Sequence, residues 1–122
     1  MKYYTIKLYD KEYKIRLIRS TYTYGGNLAV YAVLPDGSPY TVITMNPEGF
    51  DLDGDSEYAF VDTNNNPDIE QWLVENKIAI PTGIMHPQGF CVYPLYRFDL
   101  TKLEEIDNEK WIIKWYFKYN RI

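Results

Sequence analysis

Carboxylates at alternate positions mark the segment of this chain most able to do chemistry. Asp51-Leu52-Asp53-Gly54-Asp55-Ser56-Glu57 sets acids on every second residue, and Asp62 falls where the twelfth ligand of a calcium loop would stand. Hard cations are held by oxygen at this density. Two departures weaken the match. Ser56 occupies the place where the sharp turn wants glycine, and Asp62 replaces the usual bidentate glutamate. The residues before the loop also read as strand and loop, not as an entering helix. Asp51, Asp53 and Asp55 are thus weak metal candidates against the plainer reading of a solvated acidic loop, and no metal or other cofactor is expected.

Cys91 and His86 lie five residues apart and suggest a nucleophile and its base. Such a pair needs an activated thiolate, an imidazole within hydrogen-bond reach and a third group to orient it. His86 falls in a Pro/Gly turn and Cys91 in an apolar strand, where a lone cysteine usually behaves as a small buried hydrophobe. Tyr93, Tyr96 and Arg97 could stack a base or hold a phosphate, although tyrosines on a sheet more often fill its core or rim. The sequence holds no glycine-rich phosphate loop, no Cys/His cluster for zinc and no serine in a Gly-x-Ser-x-Gly setting. A non-enzymatic protein is the expectation.

Charge is distributed unevenly. Between Gly25 and Glu70 the chain carries Asp36, Glu48, Asp51, Asp53, Asp55, Glu57, Asp62, Asp68 and Glu70 without a lysine or arginine, whereas residues 1–24 are basic by count. The net charge of -4 therefore conceals a polarised molecule. Polarity of this kind governs partner choice more than fold. It points to a binding protein whose acidic surface, Glu48, Asp51, Asp53, Asp55, Glu57 and Asp62 with the amides Asn64 and Asn65, engages a basic protein partner. An inhibitor that mimics DNA is the sharpest form of that expectation. A divalent-metal domain or small enzyme using Asp51 to Glu57 is one alternative; nucleic-acid binding through the basic N-terminal segment, with Lys14 and Arg16, is the other.

The elements that must position these residues follow from apolar periodicity. Tyr4, Ile6 and Leu8 alternate with polar residues, and after Asp10-Lys11-Glu12 the alternation resumes at Ile15 and Leu17, which predicts a β-hairpin. The phase slips at Ile18-Arg19, as at a bulge or strand end. Runs over 28–34 and 40–45 flank Pro35-Asp36-Gly37-Ser38-Pro39, a reversal favoured by fixed proline φ and permissive glycine. Asp62-Thr63-Asn64-Asn65-Asn66-Pro67 predicts a turn that caps a helix over about 67–76, with Ile69, Trp72 and Leu73 as its buried stripe. Pro81-Thr82-Gly83 and His86-Pro87-Gln88-Gly89 read as turns, and Pro94 argues that the strand over 90–98 lies at an edge or is broken. Residues 108–119 fit either a helix or a strand, with helix preferred.

These elements make an α+β protein: an antiparallel sheet of four to six strands with one helix packed on it and a second helix at the C-terminus. A length of 122 residues with 46% hydrophobic content suits one domain over 1–122. The single cysteine excludes an internal disulfide and fits a reducing compartment. No apolar run approaches the length of a membrane span, and no secretory signal follows Lys2. A cytoplasmic protein without a membrane partner is expected.

Three segments, residues 27–44 (NLAVYAVLPDGSPYTVIT), 60–67 (FVDTNNNP) and 89–99 (GFCVYPLYRFD), together resemble a family of small uncharacterised domains encoded on conjugative elements and related mobile DNA of gut bacteria, mostly Gram-positive. The resemblance covers about residues 27–106 and leaves out the basic hairpin and the lysine-rich tail. It implies a genetic setting and no mechanism, because that family has no established activity.

Overall fold

The structure, a computed structural model, describes residues 2–8, 10–23, 26–49, 52 and 57–105. The first alternating segment forms β1 (Tyr4–Leu8) and β2 (Lys11–Thr21), an antiparallel hairpin with Tyr4 opposite Ile15. Asp10 turns the chain at a φ of 62°, a left-handed conformation that a short polar side chain tolerates. β2 does not stop or bulge at Ile18-Arg19. Neighbouring residues of a strand point to opposite faces, and here both faces are covered: Ile15 and Leu17 enter the main core, while Ile18 packs with Val33 in a second cluster.

β3 (Leu28–Val33) pairs with the far half of β2, and β4 (Pro39–Val42) returns beside β3. Between them Gly37 supplies a φ of 89°, and the Asp36 carboxylate accepts the Ser38 backbone N–H. At Ile43 the chain passes to a second sheet. Its N–H donates to the Val30 carbonyl, and its own carbonyl accepts from Asp62 N–H, so one residue joins both sheets.

In that second sheet β5 (Thr44–Met45) pairs with β6 (Tyr58–Val61), and a long hairpin follows, β7 (Ala79–Gln88) and β8 (Cys91–Phe98), in the order β5-β6-β8-β7. β8 is therefore an interior strand, and Pro94 neither breaks it nor marks an edge. The ladder to β7 shifts register between Pro81 and Met85, next to the Met85–Pro94 pair, so the residue without an N–H stands where regular pairing is already interrupted. Pro81-Thr82-Gly83 is accordingly part of a bulge in a strand and not the end of a unit. The hairpin turns at Gly89-Phe90, after His86, Pro87 and Gln88 have joined β7.

The helix α1 (Ile69–Glu75) is shorter than expected. Its N-cap is Asp68, at a φ of 64° and without a side-chain capping bond, so Pro67 lies outside it. Ile69 and Leu73 are buried as the stripe requires; Trp72 is half-buried and donates its indole N–H to the Thr5 carbonyl of β1, 2.8 Å away. After β8 a 3₁₀ turn over Leu100–Lys102 leads to β9 (Glu104–Glu105), which lies parallel to β2 at Ile18 and Arg19. The main cluster of buried side chains draws on β2, β3, β6, α1, β7 and β8, with Phe98, Leu73 and Val61 among its fully enclosed members. The helix expected over 108–119 falls outside the described residues. Among those described, no helix is long and apolar enough to cross a membrane.

Candidate functional site

The acidic residues do not share one condition. Glu48 is exposed, and its backbone N–H donates to the Gln88 side chain at 3.2 Å, which places it against the far end of β7. Glu57 accepts from the Arg97 guanidinium at 2.7 Å. Asp62 closes the turn after β6: its carboxylate accepts both the backbone and the side-chain N–H groups of Asn65. Asp51, Asp53 and Asp55 lie outside the described residues. Among those described, no three carboxylate, imidazole or thiol groups gather as a metal site would need.

The asparagine cluster divides between structure and surface. Asn66 is buried, donates to the carbonyls of Val42 and Asp62, and accepts from the Thr41 hydroxyl at 2.7 Å, so it ties the turn to β4. Asn64 and Asn65 are exposed, but the Asn65 amide is engaged by Asp62. The cluster borders an open groove of about 910 Å³ that Lys7, Tyr40, Gln71 and Trp72 also line.

Tyr96, Tyr93 and Arg97 do not make one platform. Tyr96 is buried in the main core and its hydroxyl donates to Glu70 at 2.8 Å; burial first, and then that carboxylate, push the phenol up to about 12. Arg97 lies on the opposite face beside Glu57. His86 packs on Phe60 with ring centres 5.6 Å apart and sits opposite Tyr93 in the ladder, while Cys91 sits opposite Gln88. The polar neighbour of Cys91 is the Tyr93 hydroxyl, which that contact raises above its usual value. In the basic hairpin Arg16 is held in two bonds by Glu104, at 3.0 and 2.6 Å, while Lys7, Lys11 and Lys14 stand exposed together with Glu12.

The surface that reasoning from motifs missed is the β7–β8 hairpin. Ile84, Met85, Phe90 and Val92 are all exposed, Phe90 completely. Val92, Pro94, Tyr96 and Phe98 lie on one face of β8; the last three are buried, and only Val92, near the tip, emerges. The face that builds the core inside the molecule is thus bare outside it. A legible signal existed: from Ile78 to Tyr96 there is no Asp, Glu, Lys or Arg, in a chain that is 25% charged. At the other end of β7 lies a shallow hollow of about 380 Å³, lined by Val74, Ile80 and Phe98 and rimmed by Glu57, Arg97, Lys77 and Asp99. Hydrogen bonds from Thr101 hold the Asp99 carboxyl below its usual range.

Two sheets, mostly antiparallel, with one short helix define an α+β fold whose β7–β8 hairpin carries exposed apolar side chains. The chain belongs to the DUF4313 family, described as a domain of unknown function, whose model matches residues 17–114. That match reaches beyond 27–106 at both ends and takes in the last five residues of β2, 17–21. Neither a curated protein nor a solved structure matches the chain.

Proposed function

We propose that this protein is a non-catalytic binding domain of a mobile genetic element that acts in the cytoplasm and engages a basic protein partner through the acid-rich middle of its chain. The observation that carries this reading is the absence of any lysine or arginine from Gly25 to Glu70 beside nine carboxylates. Exposed Glu48 near the tip of the long hairpin and exposed Asp68 before α1 support it. The likeness of residues 27–44, 60–67 and 89–99 to domains of conjugative elements supports the genetic setting. An anti-defence role, with the carboxylates standing in for phosphates, is the form that fits such an element best. Because Glu57 already pairs with Arg97, a metal in the neighbouring loop would compete with a cation for it, which favours the partner reading over the metal one.

The test is capture from a bacterial lysate on the immobilised protein, with and without nuclease, repeated with Glu48→Gln, Asp51→Asn, Asp53→Asn and Asp55→Asn combined. A protein that survives nuclease, is released by salt and is lost with the substitutions is the expected result. Equal capture by the substituted protein, or recovery of nucleic acid alone, would overturn the reading.

A further inference from the structure

The outer face of the first sheet is enclosed more completely than the sheet itself can account for. Ile18, Ala29 and Val33 alternate with the core-facing residues of β2 and β3 and so lie on the side away from the main cluster, yet they are 1%, 0% and 0% exposed. Among the described residues, the apolar side chains packed on Ile18 and Val33 are those of Tyr31 and Val42. Both belong to the same sheet, where Tyr31 stands opposite Ile18 on one side and Val42 on the other. Neighbours within a sheet shield the flanks of a side chain and leave its outer end open, so full enclosure needs a layer above. We propose that this layer is residues 106–122 of the same chain, which leave β9 and cross the outer face of β2, β3 and β4 with their apolar side turned inward.

The place where the segment begins selects it. β9 and β3 both pair with β2 at Ile18 and Arg19, so β9 lies on the edge of β2 opposite β3, and Glu104 is bound there to Arg16, which shares the outer face with Ile18. The inner face is already filled by the main core, which leaves the outer one to a chain departing from Glu105. The extent of the family match points the same way: it runs to residue 114, nine residues past Glu105, so the start of the segment is part of the domain. Its composition suits a cover. Trp111, Ile113, Trp115 and Phe117 are interleaved with Lys110, Lys114 and Lys118. A spacing of four puts the three lysines on one side of a helix and equally of a strand, and frees the other side for apolar contact. Length is sufficient as well. The three strands to be crossed span roughly 10 Å, and residues 106–114 reach roughly 13 Å even when helical.

The inference is independent of the basic partner proposed above and is tested by limited trypsin digestion of the full chain, read by mass spectrometry. Cutting after Lys110, Lys114 and Lys118 should be at least about tenfold slower in the native protein than in a free peptide of the same sequence, because a packed segment is cut only when it opens. Tyr31→Asp places a charge under the cover and should restore most of that rate, while cutting after Lys77, behind α1, stays slow. Val42→Asp, at a half-buried position of the same face, should act likewise and serves where Tyr31→Asp does not fold. Phe90→Asp, on the exposed hairpin, should leave the protection unchanged. Cutting of the native chain at the rate of the peptide would overturn the proposal whatever the variants do. Protection indifferent to both substitutions would overturn it too, as would protection that grows with protein concentration, which would assign the cover to a second copy.

Discussion

The β1–β2 hairpin exposes Lys7, Lys11, Glu12 and Lys14, yet it is fastened along its length: Tyr4 donates to the Lys102 carbonyl, Trp72 reaches Thr5, and Glu104 holds Arg16. The β7–β8 hairpin has the reverse character. Its base is buried in the core, and its outer half is bare, apolar and without charge except at His86. Charged side chains on a strand hairpin are compatible with simple solvation, because water satisfies them at little cost. An exposed apolar tip is not explained by solvation, since burying it anywhere would be favourable. The comparison teaches that charge on the first hairpin is satisfied by water and by its own fastenings, whereas the charge-free outer half of the second leaves apolar side chains in solvent.

The sharpest way to break that contrast is to treat two phenylalanines of the second hairpin alike. Phe98→Ala empties a fully enclosed position and should cost about 3–5 kcal/mol, read as a lower urea midpoint. Phe90→Ala should change monomer stability by no more than about 0.5 kcal/mol. A comparable loss at Phe90 would mean that the tip serves folding, and the distinction between base and tip would go.

Arginines make the second comparison, one in each hairpin. Arg16 is only 11% exposed and grips Glu104 in two bonds; Arg97 is 52% exposed and meets Glu57 in one recorded bond. Arg16→Ala leaves a half-buried carboxylate without its partner and should cost about 2 kcal/mol. Arg97→Ala should cost under about 1 kcal/mol, because solvent screens the pair. Equal losses in denaturant melts would show that β9 does not fasten the first hairpin.

Much of the fold was legible where local chemistry and tertiary need agree. Asp36-Gly37 had to reverse the chain, and it does; Ile69 and Leu73 had to face the core, and they do. Legibility failed where a partner strand distant in sequence decided the outcome. The parity change at Ile18 reads as a defect until β3 is seen to carry Val33 on the same outer face and β9 to lie alongside. Pro94 reads as an edge residue until the bulge in β7 supplies a place for it inside the sheet. The candidate site was obscured for another reason. Motif reasoning weighs residues that can react, so it selected Asp62, which the fold uses to close a turn, and passed over Phe90, whose ring stands fully exposed at the turn of the β7–β8 hairpin.

The smallest effect expected concerns pH and returns to the buried base of the second hairpin. Tyr96 is pushed up to about 12 by burial and by Glu70, and burial also raises Tyr22 and Tyr31. Below about pH 10 these phenols are neutral in folded and unfolded chains alike, so their contribution to stability is complete and constant. Above it the unfolded chain releases its protons first, and stability falls as pH rises toward the folded value of about 12. Tyr96→Phe removes the bond to Glu70 and should cost about 1 kcal/mol near neutrality. It should also make the alkaline decline shallower, because one of the groups whose ionisation opposes folding is gone. Tyr93, towards the open end of the same strand, is raised first by contact with Cys91 and then by burial, and because solvent screens it more than Tyr96 its replacement should change the alkaline decline less. Urea midpoints measured against pH for the native chain and for Tyr96→Phe and Tyr93→Phe would separate the two. An unchanged alkaline slope in Tyr96→Phe, or an equal change in Tyr93→Phe, would remove the distinction between the enclosed and the open halves of β8.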